Sequence, residues 1–277
     1  MAHEYSESAE KILDQEFKVL DHGFVRLVDY MGGDQRIVQS ARVSYGKGTK
    51  SVRQDRGLIN YLISHAHTSP FEQVMLTFHC KMPIFVARQW IRHRTARLNE
   101  ISGRYSVMEN EFYVPSVDQI NYQNKDNRQG RSKEELPVEL QQKVLDLLTK
   151  TNDNCYNTYN EMLEDDIARE LARINLPLSM YTQWYWNIDL HNLFHFLKLR
   201  LDYHAQWEIQ EYGKVMAEIT KAVAPMAYQA FENHIVNAVK FSGDELAALK
   251  AKLSNEDHAL KGIVKTEFET KLNKIMK

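Results

Sequence analysis

Five arginines and one histidine crowd into the seventeen residues from Arg88 to Arg104 (RQWIRHRTARLNEISGR), where Glu100 is the single acid. The whole chain carries a formal charge of −2, so this positive surplus is local. A guanidinium presents a planar fork of donors that holds phosphate or carboxylate oxygens in pairs, and it stays charged at any working pH. A basic run is often only a solvated helix face. Three features favour a bound anion here: the Trp90-Ile91 pair near the start, the Ser102-Gly103 step that lets backbone approach a ligand, and the lack of compensating acids.

A second candidate is a lone cation. At about 100° per residue along a helix from Leu190, the side chains of Leu190, Leu193, Phe196 and Leu197 form an apolar stripe, and Arg200 and His204 fall on it. An arginine in such a stripe belongs either to a structural ion pair or to a ligand; spacing leaves both open. His191, His195, Lys198 and Asp202 occupy the opposite face. His191 and His195 stand at i, i+4, which suits a metal, but the Glu of H-E-x-x-H is missing and His65-x-His67 does not supply a further reason. Other chemistries lack their motifs. Gly46-Lys47-Gly48-Thr49-Lys50 is not a P-loop, no dinucleotide-binding glycine fingerprint occurs, and Asn99 to Gly103 is not a nucleophile elbow around Ser102. Cys80 and Cys155 have no C-x-x-C spacing, which excludes a zinc knuckle and a disulfide framework and fits a reducing compartment.

The elements that must position these groups follow from length and pattern. With 277 residues, 43% hydrophobic and 26% charged, the chain can bury a sizeable core without staples. From Phe17 to Tyr30, β-branched and aromatic residues around Asp21-His22-Gly23 predict two short strands. From Val74 to Met82 the even positions are apolar, which predicts a strand with one buried face and places Cys80 in the core. Ser69-Pro70-Phe71-Glu72 reads as a capping box with outward-facing amides, and Met82-Pro83 opens a second helix. A third is expected from Asp165 to Leu176, ending before Pro177. The polar stretch 116–135 reads as a surface insertion with solvated basic residues, and Ser242-x-x-Glu245 caps a helical tail. No leader peptide or membrane-length apolar run is evident, so a cytoplasmic protein that binds neither membrane nor nucleic acid is expected.

Arg92-His93-Arg94, seven residues, then Ser102 resembles the signature of the flavin-dependent thymidylate synthases. Around it, His65 to Glu72, Arg173 to Leu178, Leu199-Arg200 and His204 to Glu208 are similar to blocks of that family in the same order, over about Arg42 to Gln210. The resemblance implies reductive methylation of dUMP to dTMP, with methylenetetrahydrofolate as carbon donor and FAD, reduced by NADPH, as hydride carrier, in a homotetramer. It would place Ser69, Arg92, His93, Arg94 and Glu100 at the flavin nucleotide, with Asp189, His191 and His195 as further flavin contacts. It would place Gln89, Arg92, Glu100, Ser102, Gly103, Arg104, Arg173 and Arg200 around dUMP. Arg200 would polarise the uracil ring, and Ser102 would position the nucleotide rather than attack it. Cys80 reads as buried and Cys155 has no basic neighbour, so activation without a cysteine nucleophile is expected.

Two other classes fit parts of the sequence. One is a nucleotide or RNA binder using Trp90 and Tyr105 for stacking; the other is a metal hydrolase built on His191 and His195. The expected fold is α+β, with a mixed or antiparallel sheet covered by several long helices in one domain over residues 1–241, followed by a helical extension over 242–277.

Overall fold

A computed structural model describes residues 4–43, 52–125, 130–254, 258 and 260–276. The glycine-rich run at 46–50 lies outside the described residues. The strands are β1 (Glu16–Val19), β2 (Gly23–Met31), β3 (Met75–Pro83), β4 (Arg97–Glu100), β5 (Asn121–Gln123), β6 (Arg131–Glu135) and β7 (Tyr181–Asp189). Five of them form one antiparallel sheet in the order β1-β2-β3-β7-β4, and β5 and β6 form a separate hairpin. The α-helices are α1 (Glu7–Glu10), α2 (Asp34–Arg42), α3 (Val52–Ser64), α4 (Ile84–Trp90), α5 (Val138–Glu164), α6 (Arg169–Ala172), α7 (Leu190–Arg200), α8 (Trp207–Val223), α9 (Pro225–Phe231), α10 (Gly243–Leu253) and α11 (Gly262–Ile275). The molecule is α+β, as expected. The chain divides into compact units of residues 1–230 and 231–277. Within the second, the capping box at Ser242 is formed and starts α10. No described helix is long and apolar enough to cross a membrane.

Period two in β3 has the predicted result. Leu76, Phe78, Cys80 and Met82 are fully buried, and Thr77, His79 and Lys81 face the other way and are partly exposed. In β7, Trp184, Trp186 and Ile188 join the buried side. Helices α4, α7 and α8 pack against the sheet. Trp90, the last residue of α4, sits at the centre of this layer with ring centroids 5.6 Å from Trp184, 5.4 Å from Trp186, 4.9 Å from Phe196 and 5.8 Å from Tyr212. It is completely buried, so it cannot stack on a base, which removes half of the stacking pair the nucleic-acid reading required. Tyr105 remains 78% exposed.

Four local expectations are corrected. The Ser69 capping box does not form: only a single 3-10 turn, Phe71–Gln73, follows, with no side-chain cap. Asp165 does not begin a helix but closes α5, and Asp166 turns the chain at φ 57° before α6 and a 3-10 turn, Arg173–Asn175. The stretch 116–135 is not merely a solvated loop, because it contains the β5–β6 hairpin, whose Arg131 is engaged with the core layer. His204 lies beyond the end of α7, which stops at Arg200 with Leu201 as C-cap; it is exposed and bonds to Asp202.

Truncating Trp90 leaves a cavity among four aromatic rings. Trp90→Ala is expected to lower stability by about 3–5 kcal/mol, and Trp90→Phe by less, measured by urea unfolding.

Candidate functional site

Burial of Trp90 decides where the arginine-rich segment goes. The chain leaves α4 at Trp90, turns through Arg92-His93-Arg94, and enters β4, which pairs with β7 so that Glu100 lies opposite Trp184. Glu100 accepts a hydrogen bond from the Thr182 hydroxyl at 2.6 Å. Arg92 and Arg94 are exposed and make no hydrogen bond or ion pair with any described residue.

Arg200 comes to the same place from α7. Its Nε donates to His93 Nε2 at 3.2 Å and its Nη2 to the Gln89 carbonyl at 3.1 Å. Among the described residues no carboxylate lies within ion-pair distance of it, which resolves one of the two readings left open by the helical wheel: Arg200 is not in a structural ion pair. Its burial lowers its pKa, yet a guanidinium remains charged in proteins. To accept from Arg200, His93 must be neutral at Nε2. Burial first, then the Arg200 charge and His195, pull the His93 pKa down to about 4.

His195 is brought to the same imidazole, with ring centroids 5.8 Å apart, so His93 bridges the two faces of α7 that the wheel had separated. His191 makes no side-chain hydrogen bond or ring contact with a described residue. Asp189 is the N-cap of α7, its two carboxylate oxygens accepting from the backbone and side chain of Asn192. Among the described residues no group of three or more His, Cys, Asp and Glu is placed to hold a metal ion, so the hydrolase alternative has no coordination set there.

The other end of the site is a tight turn. Ser102 O accepts from the amides of Tyr105 and Ser106 at 3.0 and 3.1 Å, and Ser102 Oγ accepts from Arg104 N at 3.3 Å. No described general base bonds to that hydroxyl. A Cβ on Gly103 would lie 3.1 Å from both Arg173 Cδ and Met108 Sδ, so the absence of a side chain is what lets Arg173 pack against this turn. Arg104 pairs with Glu170 at 3.0 Å, with both side chains about half exposed. Helix α5, which the sequence reading missed, supports the turn: Met108 N donates to Tyr159 Oη at 3.1 Å, and Tyr156 Oη donates to Met108 O at 3.0 Å.

Ser69 is exposed and lines a separate cleft with Arg36, Gln39, Ser40, Val43, Pro70 and Gln73. Arg36 has a buried Nε without a hydrogen-bond partner among the described residues. That donor, with Arg92 and Arg94, which have no partner among the described residues, fits an anionic nucleotide cofactor by its chemistry. Sequence reasoning missed Arg36, and it missed Gln206 and Glu208, which contact the site through Gln89; only their place in the block His204 to Glu208 pointed to them.

The model of the family described as thymidylate synthase complementing protein matches residues 26–226. A flavin-dependent thymidylate synthase of Treponema denticola is 61% identical over 94% of this chain and 98% of its own length. That of Treponema pallidum is 55% identical over 98% of this chain and 89% of its own. Among solved structures, the UMP/dUMP methylase PolB from Streptomyces cacaoi, bound with 5-Br dUMP, aligns with a TM-score of 0.72 at 31% identity, covering 79% of this chain and 98% of that one.

The depressed His93 pKa has a definite sign. Between about pH 6.5 and 4 the unfolded chain protonates this ring and the folded chain does not, so its contribution to stability is complete above 6.5 and is lost as pH falls toward 4. Asp34, pushed up to about 6 chiefly by burial, acts oppositely: its contribution is complete below 3.8 and is lost as pH rises toward 6. His93→Gln keeps an acceptor and removes the titration. The stability difference between wild type and His93→Gln is therefore expected to shrink as pH falls from 6.5 to 4 in urea unfolding; a constant difference would contradict the neutral imidazole.

Proposed function

The chain belongs to the flavin-dependent thymidylate synthases, and on that premise we propose that it methylates dUMP to dTMP, with Arg200 polarising the uracil ring. One arrangement carries the reading: a half-buried guanidinium whose acceptors among the described residues are both neutral, His93 Nε2 and the Gln89 carbonyl. A carboxylate partner would cancel its field. Without one, its charge is available to a ring held against it.

As C5 becomes nucleophilic, negative charge builds in the uracil near N3 and O2. Arg200, fixed beforehand by two hydrogen bonds, stabilises that charge without reorganising, an effect worth about 3–4 kcal/mol if it resembles one oxyanion-hole donor. Arg200 cannot serve as the base, because a guanidinium does not deprotonate in proteins. Covalent activation through Cys80 has no support either, because that thiol is fully buried and burial pushes its pKa up. Ser102 acts by position, its hydroxyl oriented within its own turn.

Gln89, Arg92, Glu100, Ser102, Gly103, Arg104 and Arg173 surround dUMP in this reading. The exposed Arg104–Glu170 pair is of the weak kind that a phosphate can displace. Ser69, Arg92, His93, Arg94, Glu100, His191 and His195 hold FAD, and Asp189 contributes by fixing the start of α7. Bound FAD, reduced by NADPH, supplies the hydride, and methylenetetrahydrofolate supplies the carbon. The same family reading makes the assembly a homotetramer, in which neighbouring protomers complete the flavin sites.

The test is dUMP-dependent NADPH oxidation by the FAD-loaded protein with methylenetetrahydrofolate present. Arg200→Ala is expected to lower turnover by about two to three orders of magnitude. Normal turnover in that variant would sink the activation scheme.

A further inference from the structure

We propose that Arg131, in the β5–β6 hairpin, is a positioning residue for the nucleotide: through Glu208 and Gln206 it sets the orientation of the Gln89 amide, so that Gln89 presents its carbonyl oxygen to the ligand. The inference rests on the placement of Gln89 at dUMP argued above.

Glu208, in the first turn of α8, is 1% exposed, and a carboxylate so buried needs donors. It has three. Arg131 pairs with Oε1 through Nη2, Tyr113 Oη donates to Oε1 at 3.1 Å, and Gln206 Nε2 donates to Oε2 at 2.8 Å. Arg131 is itself held, donating from Nη1 to Gln119 Oε1 at 3.0 Å and lying 6.0 Å from the centroid of a Trp207 ring. Beyond Gln206 the chain of bonds continues, because Gln89 Nε2 donates to Gln206 Oε1, and Gln89 O accepts from Arg200.

The direction of this chain follows from one fact: a carboxylate offers only acceptors. Gln206 must therefore turn its NH2 group to Glu208, which leaves its oxygen toward Gln89. Gln89 answers with its own NH2 group, which leaves its carbonyl oxygen for the site. Reversing the Gln89 amide would set two carbonyl oxygens against each other. The group that Gln89 reads on the nucleotide is then a hydrogen-bond donor, of which dUMP has the ring N3–H and the sugar 3′-hydroxyl. Arg131 neutralises the buried carboxylate that dictates this order, from a hairpin whose sequence suggests only solvated polarity.

Calorimetric titration of dUMP into the FAD-loaded, full-length protein tests the relay by a double-mutant cycle. Glu208→Gln, whose amide can face either way, is expected to weaken dUMP binding about tenfold in the wild-type background. In the Gln89→Leu background it is expected to change Kd by less than about twofold. Arg131→Met should behave like Glu208→Gln, with Arg131→Lys restoring most of the affinity, and this pair carries the same cycle if Glu208→Gln does not fold. Equal weakening in both backgrounds, or none, overturns the relay while leaving the functional reading intact. Failure of the wild-type protein to bind dUMP overturns the functional reading and the relay with it.

Discussion

Complete burial of one tryptophan organises this site. Trp90 ends α4 inside a cage formed by Trp184, Trp186, Phe196 and Tyr212, rings contributed by β7, α7 and α8. Because the residues on either side of it are covalently tied to that anchor, Gln89 and His93 emerge beside α7 and meet Arg200. A segment with five arginines would repel itself and stay solvated if free. Here it is fixed by apolar contact at one end and by the β4–β7 ladder at the other.

Two guanidiniums, Arg131 and Arg200, show opposite electrostatic designs. Arg131 meets a buried carboxylate, and its charge is cancelled where it stands. Arg200 meets an imidazole and a backbone carbonyl, which supply geometry without cancelling charge. The neutral state of His93 belongs to this design, since a protonated ring could not accept from Arg200 and would add repulsion. The first arrangement cancels a charge in place, and the second leaves one uncancelled.

Legibility differed from element to element for identifiable reasons. Strand β3 was readable because burial on one side forces period two in its residue types, and Cys80 fell on the buried side as expected. Pro83 marked the start of α4 because a residue with fixed φ and no amide hydrogen is well suited to a helix entrance. The wheel placed Arg200 correctly and His204 wrongly, since helical periodicity has no meaning past Leu201. Helix α5 went unread although Tyr156, Tyr159, Met162 and Leu163 stand at helical spacing and pack together, because the buried polar Gln141 and Asn152 interrupt its apolar stripe. Ser69 and Glu72 have the right spacing for a capping box, but the chain enters β3 after three residues and no helix develops.

Residue types and short spacings alone determined the positive surplus of 88–104, the core role of Cys80 and the family to which the chain is similar. They did so because propensity, charge and motif are properties of neighbours along the chain. The pairing of Arg200 with His93 across 107 positions, and of Arg131 with Glu208 across 77, was decided only by the tertiary structure. Such partners meet through strand register and helix packing, which sum many weak contacts that no local pattern encodes.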